Sequence, residues 1–541
     1  MVSTFHGLET AKRGMTTQQL ALYTTGHNIA NANTPGYTRQ RVSFATAEPF
    51  PGAGLNRPQI PGQLGTGVEA GAIERVRDAF LDEQYRSENT KLGYYSSQSS
   101  ALAKMEDILN EPSDTGLQAV MGKFWNSLQD LANNPQNSAT RQAVASNGQM
   151  VAETFNYYYN SLERIQSDLG NEIDVTVGNI NAIVNNINEL NKQIAAVEPH
   201  GMLPNDLYDK RDLLVDQLSQ LVNVKVHAVK PKQYGQASPQ AAGLYEIEIV
   251  KADGTSYGSG AKLLSVNPAD GSATVNSLTV KGSNGTGKPL EGNVSSITVG
   301  EVTINNLEFL GELGGLIESY GYKLDEDTKV SGYYSDMLEK LNNLAKAFAS
   351  EFNKVHRQGF DLSGHKGKDF FEFAEKAAKT LKVNKNIMND GSLIAAGFDA
   401  DVANIPNDSI GVEKRESLLA SSGNNSNAFR LANIMSKDFS QYESNVTLPD
   451  GMTNGSINSY YASIIGDLGV DAQSANRNKE NVQVLVDSVQ YNRQSVSGVS
   501  LDEELTNMIT FQHAYNASAR MITVIDEMLD KIINGMGVVG R

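Results

Sequence analysis

Cysteine is absent from all 541 residues, and tryptophan occurs once. The first absence excludes disulfides, thiolate nucleophiles and every cysteine-ligated zinc or iron–sulfur centre, and leaves the redox compartment open. Long apolar runs are missing as well. No window approaches the roughly 18–20 apolar residues that cross a bilayer, and mean hydropathy is −0.36, so membrane insertion is not expected. Positive charge is in deficit: 45 Lys and Arg face 62 Asp and Glu, a net charge of −17. That balance repels phosphate and argues against nucleic-acid binding. The first thirty residues hold no unbroken apolar core and no small-residue cleavage site, so no cleaved secretory signal is expected. A cytoplasmic protein fits, and so does one exported by a route that reads no such signal.

What is present suffices for packed cores. Hydrophobic residues make up 40% of the chain, too many for wholesale disorder. The length corresponds to roughly three to four domains at about 150 residues each.

The two ends carry matching patterns. Leu8, Met15, Leu22 and Ile29 recur every seven residues and predict an amphipathic helix that stops at Asn33-Thr34-Pro35-Gly36. Gln and Thr interrupt its seam, so the helix is weak alone. Leu501, Met508, Tyr515, Ile522 and Leu529 repeat the spacing at the other end, with Leu505, Phe511, Ile525 and Ile532 on the same side. Asp502, Glu503 and Glu504 stand in its first turn, where the helix dipole favours anions. This helix is expected to end near Gly535 and Gly537.

Between the ends, residues 40–75 read as extended chain rich in Gly and Pro, with a short strand over 67–73. A helical block follows over 76–222. Its clearest part, 138–198, carries Tyr159, Gln166, Ile173, Ile180, Ile187 and Ile194 on one heptad position. Phe155, Leu162, Leu169, Thr176, Ile183, Leu190 and Val197 occupy the other. That predicts a rod of roughly 90 Å. Near Val222 the period changes to two, at Val222, Val224 and Val226, then Tyr245, Ile247 and Ile249, then several further short runs. Asp253-Gly254, Asp270-Gly271 and Asn284-Gly285 separate them. Helical spacing returns at 338–355, a mixed stretch covers 356–415, and more helix is expected over 456–495 with Val482, Leu485 and Val489 on one face.

The expected fold class is therefore mainly α with an inserted β-domain. Terminal helices 1–40 and 497–541 form a coiled-coil layer. Segments 41–222 and 311–496 form a mostly helical framework, and 223–310 an antiparallel β-domain in the middle.

Three segments imitate chemical motifs. Gly254-Thr255-Ser256-Tyr257-Gly258 matches a hydrolase elbow, but Ala261–Val266 looks like a return strand where a helix is needed, and an Asp-Gly hairpin turn is the better reading. Gly282–Lys288 resembles most of a phosphate-binding loop, but Pro289 stands where a Ser or Thr hydroxyl is required. Asp361–Asp369, with Glu372 at the twelfth place, suggests a calcium loop. Its sixth place is Lys366 and not Gly, which favours a structural turn. The seven histidines show no zinc-protease spacing. No catalytic, cofactor-binding or metal-ligating residue is expected, and no cofactor.

At Asn28-Ile29-Ala30-Asn31-Ala32-Asn33-Thr34-Pro35-Gly36-Tyr37-Thr38-Arg39 the sequence resembles the N-terminal signature of the bacterial flagellar rod and hook-type axial proteins. Ser497–Leu505 and Phe511–Arg520 are similar to the matching C-terminal end. Asn205–Asp212, Asn353–Leu362 and Gly423–Ala428 resemble the hook-associated branch of that family. The resemblance covers both ends and most of the framework, and is weak over 223–310. It singles out Asn28, Asn31, Asn33, Thr34, Gly36 and Tyr37 as motif positions.

The resemblance implies a structural, non-enzymatic part at the junction between hook and filament, extracellular at the hook tip. It implies export by the flagellar type III apparatus, and terminal helices disordered in the free monomer. The implied partners are the hook protein, a second hook-associated protein, further copies of itself in a helical array, and a cytoplasmic export chaperone at the C-terminal helix. The seam residues Leu8, Met15, Leu22, Ile29, Leu501, Met508, Tyr515, Ile522 and Leu529 are the candidate subunit interface. The alternatives are a secreted axial scaffold whose β-insert is enzymatic or adhesive, with Ser256 or Lys288 at its site, and another rod or hook part.

Overall fold

The computed structural model describes residues 5–52, 62–109, 111, 113–283, 290–304, 306–308, 310–324, 329–404, 410–421, 423–441 and 454–535. The Asn284-Gly285 turn, Lys288 and Pro289 of the phosphate-loop lookalike, and Gly537 lie outside the described residues.

Helix α1 (His6–Asn31) leads into the antiparallel hairpin β1 (Gln40–Thr46) and β2 (Val68–Arg75). The framework opens with α2 (Ala79–Leu109), α3 (Leu117–Asn133), the 60-residue α4 (Ser138–Val197) and α5 (Asn205–Leu221). Then come β3 (Val224–Val229), β4 (Leu244–Val250), β5 (Ser256–Val266), β6 (Ala273–Val275), β7 (Leu278–Gly282), β8 (Val294–Val299) and β9 (Val302–Ile304). They form a four-stranded sheet, β3-β4-β5-β6, and a three-stranded sheet, β7-β8-β9, with every pairing antiparallel.

Helices α6 (Glu312–Tyr320) and α7 (Tyr333–Gln358) return the chain to the framework. A region of short elements follows: β10 (Phe371–Glu372), α8 (Ala377–Thr380), β11 (Lys382–Val383), α9 (Lys385–Asn389), α10 (Ala400–Ala403), α11 (Val412–Ala420) and α12 (Ser426–Ala432). Two long helices, α13 (Ile457–Ser497) and α14 (Leu501–Gly535), complete the fold. The fold is mainly α, with small antiparallel sheets in the middle of the chain.

Local chemistry sets the boundaries. Asn137 starts α4 by accepting the N–H of Ala139 at 2.8 Å. Ser456 and Ser459 form a capping box at the start of α13. Gly498 parts α13 from α14, and a Cβ there would fall 2.4 Å from the carbonyl oxygen of Gln494.

The 3.5-residue period read along α4 fits only in part. Tyr159, Ile173, Ile180, Ile187 and Ile194 are buried. Ile183, Leu190 and Val197 on the second position are only half-buried, and Val177 and Val184 take the core instead. A straight helix drifts about 20° per heptad against a 7-residue repeat. Among the described residues α4 is met by a succession of partners, α3, α6, α7, α8 and β11 as well as α5, β4, β6 and β7, and not by one helix that would enforce supercoiling.

Other expectations change similarly. On α13 it is Val482, Val486 and Val489 that are buried against α2, while Leu485 is 50% exposed. Strand β4 does not alternate. It is buried along most of its length, because Glu246 accepts the N–H of Val266 at 3.2 Å and pairs with Lys262 at 2.9 Å. Residues 40–46, read as plain extended chain, form a strand paired with 68–75.

One apolar cluster runs from Phe124, Phe348, Phe352 and Phe370 in the framework to Ile247, Leu264 and Ile297 in the sheets. Polar side chains of α4 fasten the sheets to the framework. Asn181 exchanges two hydrogen bonds with the backbone of Leu278 (2.9 and 2.8 Å), and Asn191 does the same with Tyr245 (2.8 and 3.1 Å).

Candidate subunit interface and its neck

Helices α1 and α14 lie side by side, antiparallel and in fixed register. Gly7 stands opposite Ile525, Gly14 opposite Ser518 and Asn28 opposite Glu504. The small residues let the helices approach: a Cβ on Gly14 would lie 3.1 Å from Ser518 Oγ, and one on Gly7 3.2 Å from Ile525.

Leu8, Met15, Leu22 and Ile29 are half-buried, as are Met508, Tyr515, Ile522 and Leu529. Leu501 is not covered; it is 49% exposed, and buried Glu504 occupies the seam at that level. Of the four positions read as filling in on that side, Ile525 is buried and Phe511 half-buried against Phe44, whereas Leu505 and Ile532 are open. The pair therefore covers one stripe of each helix. On α14 Leu501, Leu505, Ile509, Met521, Val524, Met528, Ile532 and Ile533 remain exposed.

The motif residues form the joint at the end of this rod. Pro35 and Gly36 end α1, and Gly36 turns the chain with φ +78°. A side chain at Gly36 would meet Leu213 of α5 at 3.2 Å. Asn28 is buried and fully used. Its Nδ2 donates to Gln40 O (2.8 Å) and Glu504 Oε2 (3.1 Å), and its Oδ1 accepts from Gln40 N–H (3.0 Å) and Tyr37 O–H (2.7 Å). Asn31 accepts from Thr34 Oγ1 at 3.2 Å and donates to the carbonyl of His27 at 3.1 Å. Asn33 and Thr34 are exposed on the turn. Tyr37 packs edge-on against His27, 5.6 Å between centroids. Burial, with Asp206, Asp209 and Glu504 nearby, pushes its hydroxyl well above the ordinary tyrosine range.

Arg39 ties the two chain ends together. Its backbone N–H donates to Ser497 O (2.9 Å), its Nε to Glu504 (2.7 Å) and its Nη1 to Glu503 (2.8 Å).

Behind this joint lies an ionic network that the periodicity gave no hint of. Asp209, Asp212 and Asp216 fall at i, i+3 and i+7 on one face of α5, all buried. Asp212 receives Arg75 (2.8 Å), Arg77 (3.1 Å) and Arg86 (3.5 Å), and accepts the Tyr245 hydroxyl at 2.9 Å. Burial alone would raise its pKa, but Arg77, Arg75 and Arg86 outweigh that and hold it well below the usual carboxylate range. Asp209 takes Arg75 (3.0 Å) and the backbone N–H of Thr38 (2.9 Å). Asp216 joins Arg86 (2.8 Å) to Arg493 of α13 (2.6 Å), and Arg493 reaches Asp82 of α2 at 3.1 Å. Thus α2, β2, α5 and α13 meet around three carboxylates where the terminal rod leaves the framework. The readable signal was the i, i+3 spacing of Asp209 and Asp212 on one helical face, together with the pair Arg75 and Arg77.

The hydrolase-elbow and calcium-loop lookalikes are turns. Asp253 accepts the N–H (2.9 Å) and hydroxyl (2.6 Å) of Thr255, Gly254 has φ +81°, and Ser256 begins β5 opposite Val250. Asp361 Oδ1 accepts the N–H groups of Ser363 and His365, each at 2.8 Å. Among the described residues no group of three or more His, Asp or Glu is placed to hold a metal, and no helix is long and apolar enough to cross a membrane.

Comparison with known proteins follows the same division into ends and middle. Residues 8–38 match the flagella basal body rod protein family, and 492–535 the C-terminal family of flagellar basal body rod FlgEFG proteins. Residues 102–371 match the helical domain of flagellar hook-associated protein FlgK. Flagellar hook-associated protein 1 of Bacillus subtilis (strain 168) is 45% identical over the full length of both chains. The chain belongs to the flagellar hook-associated protein 1 family. The family member of Escherichia coli (strain K12) is 27% identical, over 97% of this chain and 99% of that one. A solved structure, the flagellar hook junction protein FlgK of Burkholderia pseudomallei, superposes with a TM-score of 0.54 at 15% identity. It covers 77% of this chain and 100% of its own, and shares the fold. Family membership makes this a flagellar protein, and Asn28 to Tyr37 and Asp209 to Asp216 lie in or beside the stretches that resembled that family.

Proposed function

We propose that the chain is a non-enzymatic structural subunit of the junction between flagellar hook and filament. Copies join a helical array through their terminal helices, with the hook protein on one side and a second hook-associated protein on the other. One observation carries this reading. Helices α1 and α14 pair along their length, yet α14 keeps Leu501, Leu505, Ile509, Met521, Val524, Met528, Ile532 and Ile533 open to solvent. An apolar surface of that extent seeks cover from another chain. The family relationship supports the location, at the hook tip outside the cell. Export proceeds from the cytoplasm, and a chaperone shields α14 beforehand.

The ends and the body then have separate duties. The 1–40 and 497–541 segments assemble, the 41–222 and 311–496 framework holds them at the neck, and the 223–310 sheets stand on the framework. Removing about the first 35 or the last 40 residues leaves a soluble, folded body that no longer builds junctions. The test is complementation of a strain lacking the protein, scored by filament number and by immunolabelling at the hook tip. Filaments of normal number on truncated chains would refute the reading.

A further inference from the structure

We infer that the first turns of α14 in one copy dock into the groove between α1 and β2 of a neighbouring copy, displaced along the rod by roughly 20 Å. The inference rests on the junction reading above and specifies which surfaces of the terminal rod meet.

On α14, Leu501, Leu505 and Ile509 are 49%, 49% and 56% exposed. They fall at i, i+4 and i+8 and climb around the helix away from the seam residues Glu504, Ser518 and Ile525. Asp502 lies beside Ile509 in helical phase and has no ion pair among the described residues. On α1, the side turned from α14 forms with β2 a groove of about 390 Å³, lined by Lys12, Arg13, Thr16, Leu20, Val68 and Ala70. Glu9 and Glu69 edge it. Arg13 engages Glu9 at 3.6 Å, so Lys12 is the cation left without an ion pair among the described residues. The floor is aliphatic, and the stems of Lys12 and Arg13 extend it. An apolar row flanked by one unmatched carboxylate thus fits a groove whose α1 side carries the unmatched Lys12 ammonium, with Glu69, also without an ion pair among the described residues, on the β2 side.

The two surfaces cannot meet within one chain. The register of α1 on α14, set by Gly14 against Ser518 and Asn28 against Glu504, puts Leu501 level with Asn31. That is about fifteen residues, or roughly 22 Å at 1.5 Å per residue, from the level of Thr16. A second copy slid by that distance brings Leu501 to Thr16, Leu505 to Lys12 and Asp502 within reach of the Lys12 ammonium. The row belongs to one helix and the groove to the other. Each contact therefore leaves a free row on one copy and a free groove on the next, and such contacts propagate rather than close.

The lack of native cysteine allows a direct test on the full chain in flagellated cells. Thr16→Cys and Leu501→Cys are combined and treated with a short bismaleimide. The pair Phe44→Cys with Phe511→Cys, whose native rings lie 5.9 Å apart, serves as the control that links within one chain. A ladder of covalent multimers from the first pair is expected, with monomer from the second. The charge test uses Lys12→Asp and Asp502→Lys, each reducing filament number several-fold and the double exchange restoring it. Complete flagella whose Thr16/Leu501 variant yields monomer only, or a double exchange no better than either single, overturn this docking while leaving the junction role intact. A wild-type chain that immunolabelling does not find on flagella overturns the junction role itself.

Discussion

Gly14 of α1 lies against Ser518 of α14, so close that a Cβ would stand 3.1 Å from the serine hydroxyl. A larger side chain there pushes the two helices apart without touching the framework core. Gly14→Leu is expected to abolish filament formation, read by complementation, and to leave the melting temperature of the purified protein within a few degrees of wild type. A drop comparable to that of a core variant would show that the terminal pair helps stabilise the framework.

Asp212 is the buried centre of the neck, and its three arginine partners are mostly covered. Removing one member of a buried ionic cluster leaves charge uncompensated and costs about 3–5 kcal/mol. Asp212→Asn should lower the urea midpoint accordingly, with little change in the slope of the transition. An effect within the range of a surface substitution would mean that water reaches these arginines.

His356 gives the protein a defined acid sensitivity. It is fully buried, its Nδ1 donates to Lys368 O (2.5 Å) and its Nε2 accepts the N–H of Ala395 (2.9 Å), so both nitrogens are satisfied only when the ring is neutral. Burial pushes its pKa down to about 4. In the unfolded chain it titrates near 6.5. The unfolded state therefore gains a proton first. The stability this histidine contributes is complete above about pH 6.5 and falls as pH drops toward 4, by on the order of 3 kcal/mol. Urea unfolding at a series of pH values, for wild type and His356→Gln, isolates the step. Glu318 and Asp361, whose pKa values burial raises, act in the opposite direction in both proteins. Equal pH slopes in the two proteins would refute the assignment.

Asn28 spends both its donors and its acceptor on the joint. Asn28→Asp keeps the acceptor, loses the donors to Gln40 and Glu504, and places a carboxylate beside Glu504. The expected cost is about 1–3 kcal/mol, confined to the joint. Faster amide exchange at the start of β1 and the first turn of α14, with unchanged exchange in α4, is the measurement. Uniform loss of protection across the framework would show a global role instead.

Val486 and Leu485 are neighbours in sequence with opposite surroundings, 6% and 50% exposed. Val486→Ala should destabilise by on the order of 2 kcal/mol, and Leu485→Ala by less than about 0.5 kcal/mol. Reversed values would mean that α13 presents the other face to α2.

The periods in the sequence located most helices and strands because each element buries one face. They failed where that condition fails. Val486 and not Leu485 faces α2: the two stand at i+4 and i+3 from Val482, spacings that helical periodicity alone does not tell apart, and the docking of α13 on α2 selects the first. β4 lost its alternation because Glu246 and Glu248, polar in any pattern, are buried once their carboxylates find Lys262, Val266 N–H and His227. Among the candidate interface residues, Leu501 looked equivalent to Met508 by spacing, but only Met508 is half-covered by the protein's own fold.

By itself the sequence determined that the chain ends are amphipathic helices, that a long helical body separates them, and that Pro35 and Gly36 stop the first. Those are consequences of local period and of backbone chemistry. Only the tertiary structure decided that Arg75, Arg77, Arg86 and Arg493 converge on Asp212 and Asp216, and that Asn28 reaches Glu504 across 476 residues. No local rule encodes such contacts, because a buried charge gains its stability from whichever opposite charge the folded chain brings within a few ångströms.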